Sequence, residues 1–160
     1  MSPILFSLSA IVLAFPLMVQ AAPGHHHDHG ATAPQSIVLN VGKKWPTDEA
    51  LRQGMGAIHT IAAGALPAAH AGKLAPAKYN AMANDVNAQI GYIVENCKLD
   101  PKADAQLHIL IGELADGVET MQGKRAGRGR AQGVVKITQT LNTYGKYFNH
   151  ASWQMIKLPQ

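Results

Sequence analysis

Five consecutive residues, His25-His26-His27-Asp28-His29, gather four imidazoles and a carboxylate in one short run. Those donors suit borderline divalent ions such as Cu(II), Ni(II) and Zn(II). The flanking residues, 22–36 as a whole, are mostly small or polar, with prolines at 23 and 34. Such a segment has too little apolar surface to offset its ordering entropy, which predicts a disordered tail free to wrap an ion. A merely solubilising tail is the competing reading. An expression tag fits poorly, because Asp28 interrupts the run and an apolar leader directly precedes it. The tight amino-terminal copper chelate is excluded. It needs histidine third in the mature chain and an amide hydrogen at the second residue, and in Ala22-Pro23-Gly24-His25 proline supplies none.

A second candidate set is Met55, His59 and His108. If the helices described below fold back about residues 72 and 99 and across the basic loop, then Met55, Ile90, His108 and Gly145 share one level. His59 lies a turn away. One thioether and two imidazoles would favour copper(I) over zinc. Asp104, one turn before His108, can pair with it and orient its ring. The plainer alternative is a core methionine and surface histidines. Cys97 is the only cysteine. Three readings stay open for it: an inert core thiol, a disulfide-linked dimer, and copper(I) ligation with His150, which falls with Cys97 and Asp104 near the other end of the bundle.

Nothing in the chain resembles an enzyme's machinery. Past the leader the only serines are Ser36 and Ser152. G-x-S-x-G, H-E-x-x-H and the P-loop are all absent, so the expectation is a protein that is not an enzyme. The absence of C-x-x-C-H excludes covalent c-type haem.

The elements that must position these groups follow from the hydropathy pattern. Residues 1–21 hold an uncharged apolar stretch from Ile4 to Val19 that ends in Val19-Gln20-Ala21, without a basic residue ahead of it. An apolar core of roughly 7–15 residues before small residues is a cleavable secretory signal rather than a membrane span. Cleavage before Ala22 avoids leaving Pro23 next to the cut. The expectation is therefore a soluble periplasmic protein. Residues 22–45 form the His-rich tail and a short extended arm, which Trp45 pins to the domain. Residues 46–150 carry four helical seams, and residues 151–160 read as a C-terminal tail.

The first seam is Leu51, Met55, Ile58, Ala62, Ala65 and Ala69, with Thr47 as N-cap and Pro67 expected to kink or end the helix. The second is Tyr79, Met82, Val86, Ile90, Ile93 and Cys97, opened by Pro76. The third is Leu107, Leu110 or Ile111, Leu114, Val118 and Met121, with Asp100 as N-cap, Pro101 in the first turn and Gly123 as stop. The fourth is Val134, Ile137, Leu141, Tyr144 and Phe148. The fold class is all-α: an up-down-up-down antiparallel four-helix bundle.

The net charge is +4, and Lys124, Arg125, Arg128 and Arg130 concentrate it between the third and fourth helices. A solvated loop is the simple reading, and docking to an acidic protein partner or a membrane surface the functional one. No aromatic residues interleave with these charges, which argues against nucleic acid.

Two stretches carry a family resemblance. Gly42-Lys43-Lys44-Trp45-Pro46-Thr47-Asp48 through Leu51-Arg52-Gln53-Gly54-Met55 is one. The other is Tyr92-Ile93-Val94, Asn96-Cys97-Lys98-Leu99 and Pro101, with Ala103-Asp104 and Leu107-His108. Together they resemble a family of small exported proteobacterial proteins labelled DnrO-like, whose members carry a His-rich stretch after the signal. The resemblance implies export more than an activity. At the level of fold the bundle is similar to cytochrome b562, whose haem ligands are a methionine early in the first helix and a histidine late in the fourth. Met55 matches the methionine by position. Asn142-Thr143-Tyr144 is followed by Gly145 where that family has its histidine, which disfavours haem. The readings in play are a metal-binding or metal-buffering protein (copper first, nickel or zinc next), a b562-like haem carrier, and a non-metal interaction module.

Overall fold

A computed structural model describes residues 36–159. Its regular elements are four α-helices: α1 (Glu49–His70), α2 (Pro76–Asn96), α3 (Pro101–Met121) and α4 (Arg130–Tyr147). Among the described residues there is no strand, only two isolated bridges, Asn40 with Lys43 and Trp45 with Phe148. Each helix packs on the next in sequence, and α1 also packs on α4. No helix among the described residues is long and apolar enough to cross a membrane.

Most of the seams lie where their periodicity places them. Tyr79, Met82, Val86, Ile90 and Ile93 are buried on α2, and Leu107, Leu110, Leu114, Val118 and Met121 on α3. Val134, Ile137, Leu141 and Tyr144 are buried on α4, with Phe148 as its C-cap. On α1 the buried position in the fifth turn is Leu66, not Ala65, and Cys97 is only half-buried. An interior that can admit the larger apolar side chain removes more surface from water by doing so.

The caps correct two expectations. Asp48, not Thr47, is the N-cap of α1, its carboxylate accepting from Leu51 N at 2.8 Å. Thr47 instead donates its hydroxyl to the Asn149 carbonyl at 2.7 Å. Pro67 lies inside α1 and the helix runs on to His70. A proline so close to the C-terminus removes one helical bond with few turns left to disturb. Gly72 then leaves the helix at φ +66°. Asp100 caps α3 as its sequence suggests, accepting from Lys102 N and Ala103 N. Gly123 closes α3 at φ +75°, with Lys124 N bonded to the Glu119 carbonyl.

Two segments outside the helices are built into the fold. The arm is not extended throughout: Asn40 and Lys43 exchange two backbone bonds around Val41 and Gly42, both at positive φ. A β-branched residue at positive φ is strained, and Val41 stands almost wholly in solvent there. Trp45 pins the arm as expected, being buried, with its indole N–H donating to the Val38 carbonyl at 2.7 Å. Its backbone is bonded to Tyr147 O and Asn149 N. Residues 151–160 are expected to be a tail, but over their described part they continue from Asn149 and His150 as a strap. Trp153 and Ile156 pack against the core, and the Asn142 side chain bonds both the N–H and the carbonyl of Ile156.

Candidate functional site

His25, His26, His27 and His29 lie outside the described residues. Met55, His59 and His108 lie inside, in three different surroundings. Met55 is fully buried in the core. His108 is 66% exposed on α3, its Nδ1 bonded to the Asp104 carbonyl at 3.0 Å and 3.3 Å from the Asp104 carboxylate. The expected pairing of Asp104 with His108 is therefore present, at the surface. His59 faces the strap, where its Nε2 lies 2.8 Å from the Gln154 carbonyl. A carbonyl only accepts, so Nε2 carries the proton there.

Cys97, Asp104 and His108 line one cleft of about 350 Å³ between α2 and α3. The thiol of Cys97 donates to the Asp48 carboxylate, and burial together with that neighbour pushes its pKa up to about 12. A protonated thiol is neither a metal ligand nor a nucleophile. This environment opposes both the disulfide-linked dimer and copper(I) ligation at Cys97. Asp48 holds a wider junction: besides capping α1, it accepts from Lys98 N at 2.5 Å, beyond the end of α2. Its desolvation alone would raise the carboxyl pKa. The N–H donors of Lys98 and Leu51, the thiol and Arg52 together outweigh that and lower it.

His150 does not join Cys97 and Asp104 in the cleft. Its Nδ1 lies 3.0 Å from the hydroxyl of buried Tyr144. Burial, with Arg52 and His59 nearby, lowers its pKa, so the ring is neutral at pH 7. Burial holds the Tyr144 phenol in its protonated form. Trp153 is the hub of this region: its ring centroid lies 4.9 Å from His59, 4.8 Å from His150 and 4.8 Å from Tyr144. Gly145 makes the room. A β-carbon at Gly145 would fall 2.5 Å from Trp153 Nε1 and 3.1 Å from the Met155 sulfur. The Trp153 Nε1–H is buried without a hydrogen-bond partner. An orphaned donor of this kind costs about 1–3 kcal/mol, set against the packing of Trp153 and Ile156 on the core.

Sequence reasoning passed over Trp153, Met155 and Gly145 as a unit. The available signal was a tail containing Trp153, Met155, Ile156 and Leu158, too apolar to be left in water. Among the described residues, no three side chains of His, Cys, Asp and Glu cluster closely enough to hold a metal ion.

The basic loop is engaged within the chain. Arg125 pairs with Asp116 and Glu119, and Arg128 with Asp116. Arg130 donates to Asn80 and to the Met121 carbonyl. Two of the four basic side chains, Arg125 and Arg128, are thus paired with carboxylates of α3, while Arg130 meets neutral groups of α2 and α3. Comparisons of the chain with protein-family models, curated proteins and solved structures find no match.

Proposed function

We propose that this chain is an exported, periplasmic metal-binding or metal-buffering protein and not an enzyme, in which His25, His26, His27 and His29 capture a transition-metal ion. Copper is the first candidate, with nickel and zinc next. The helices serve as scaffold, in an up-down-up-down antiparallel bundle that carries a disordered tail. The observation that carries this reading is the run itself, four imidazoles and a carboxylate in five residues. The apolar leader ahead of it and the resemblance to DnrO-like exported proteins support the compartment. Against the b562-like alternative stands Trp153, whose indole fills the space over Gly145.

The test is a titration of the full mature chain with Cu(II), Ni(II) and Zn(II), beside a variant with all four tail histidines replaced by alanine. The parent should bind and the variant should lose most of that binding. Equal affinity in the two would refute the tail as the principal site. An intense visible band in protein purified from the periplasm without an affinity metal column would instead favour haem.

A further inference from the structure

Charge in this chain is segregated by segment. The arm from 36 to 47 and everything after Glu119 hold nine of the fourteen lysines and arginines and none of the ten acidic residues. Carboxylates of α3 meet part of this excess: Glu113 pairs with Lys136, and Asp116 and Glu119 with arginines of the basic loop. Towards the C-terminal end of α4 the cations are left over. Among the described residues, Lys43, Lys44, Lys146 and Lys157 are exposed and form no ion pair. Backbone contacts gather their chain positions around the last two turns of α4. Lys44 donates to the Gly145 carbonyl at 2.7 Å, and Lys146 follows that glycine. Lys157 follows Ile156, whose backbone the Asn142 side chain holds.

The same segments leave aliphatic side chains in water. Val38 and Leu39 on the arm, and Met155 and Leu158 on the strap, are exposed, and Val41 is 96% exposed. Val41 has φ +49° and Gly42 φ +77° in the turn that Asn40 and Lys43 close. Asparagine or glycine would hold the first of these positions with little strain. Valine there is strained and gains no burial within the chain, a combination that points from the backbone outlier to a role outside the fold.

We propose that the arm, the strap and the last two turns of α4 form a docking face for an anionic phospholipid surface, with Val41 entering the interface and the four lysines meeting the headgroups. Apolar area and attraction to anionic lipid add in such a patch. Lysine is a compact charge on a flexible stem that needs no fixed partner geometry, which suits a fluid array of headgroups. Recognition of an acidic peptide relies instead on arginine forks. All four arginines of this chain are engaged within it: Arg52 with Thr47, Arg125 and Arg128 with carboxylates of α3, and Arg130 with Asn80 and Met121. The proposal does not depend on metal binding by the tail.

The experiment is co-sedimentation of the full mature chain with vesicles of phosphatidylglycerol and phosphatidylcholine in equal parts, beside vesicles of phosphatidylcholine alone. It is run at low salt and about pH 8, where the tail imidazoles are neutral. The chain should bind the mixed vesicles, not the neutral ones, and salt should release it. Lys43→Gln and Lys157→Gln should each weaken partitioning about fivefold. Val41→Asn should weaken it about tenfold, the loss of one buried aliphatic side chain. Its melting temperature should stay at or above the parent's, because asparagine accepts positive φ more readily than valine, so lost binding is not lost folding. Arg128→Gln, in the basic loop, should stay close to the parent. Absence of binding to the mixed vesicles, equal binding to the neutral ones, or unchanged binding in Val41→Asn overturns the face. An equal loss in Arg128→Gln would also overturn it, assigning the attraction to overall charge. Binding to polyglutamate as tight as to the vesicles, and unaltered in Val41→Asn, would overturn it in favour of an acidic protein.

Discussion

Two glycines on α4 let other atoms come close, and they do so to different ends. At Gly133 the visitor is backbone: a β-carbon there would fall 2.6 Å from both the Gly117 carbonyl oxygen and Met121 N of α3. The surroundings are aliphatic, and the buried hydroxyls of Thr120, Thr138 and Thr140 bond carbonyls of their own helices. At Gly145 the visitor is a side chain of the strap, accompanied by a thioether and two imidazoles. The first close approach fixes two helices against each other and offers no chemistry. The second admits a detachable segment, one of whose polar groups is unsatisfied. Helix-to-helix packing and strap packing in this bundle are thus separated along a single helix.

Gly133→Ala should be the most damaging of the glycine substitutions, because neither the carbonyl nor the amide it meets can swing away. Overpacking of this kind costs about 1–3 kcal/mol and occasionally more, and we expect the upper end in urea unfolding. Gly112 gives the control, being helical with nothing within 4 Å of an added β-carbon. Gly112→Ala should stabilise by about 0.5–1 kcal/mol. Gly145→Ala falls between them in kind. The new methyl meets ring and sulfur atoms of a strap that can lift, so global stability should drop by only about 1 kcal/mol, at the low end of overpacking. Trp153 emission should meanwhile shift towards the red. If Gly145→Ala cost as much as Gly133→Ala, the strap would be part of the core and the contrast between the two regions would fail.

The helices were legible because their burial is periodic, and a seam such as Leu107, Leu110, Leu114, Val118 and Met121 cannot be hidden. The Asp100-Pro101 start was legible because a cap is a local bond within three residues. The Asp48 junction was only half legible. Its bond to Leu51 is local, but its bond to Lys98 spans fifty residues and has no sequence signature. The grouping of Met55, His59 and His108 illustrates the main error. Loop lengths fix the level of a residue along a bundle but not the rotation of its helix, and rotation sends Met55 inward and His108 out to water. The strap was missed for a third reason. Its partner is an absence, the missing side chain of Gly145, and a space is visible only when the segment that fills it is in place.

The smallest expected effect separates the two regions by charge. No titratable side chain meets a β-carbon built at Gly117 or Gly133, whereas Asp48 sits at the junction of α1, the end of α2 and the arm. Its folded pKa lies below the ordinary 3.8. Between that folded value and 3.8 the unfolded chain binds more protons than the folded one. The stabilisation from Asp48 is therefore fully present above about pH 4 and is lost as pH falls through the folded pKa. Asp48→Asn keeps a competent helix cap for Leu51. It removes the charge, and its amide turns a donor towards the Lys98 N–H or gives up the Leu51 bond. The variant should melt below the parent at pH 7, and the gap between them should narrow from pH 5 to pH 3. Using the difference between the two proteins cancels the other carboxylates, which titrate alike in both. The gap should be small, because Asp48 is partly exposed and solvent screens its interactions. A gap that stays constant across the acid range would show that shape, not charge, makes Asp48 the hinge of that end.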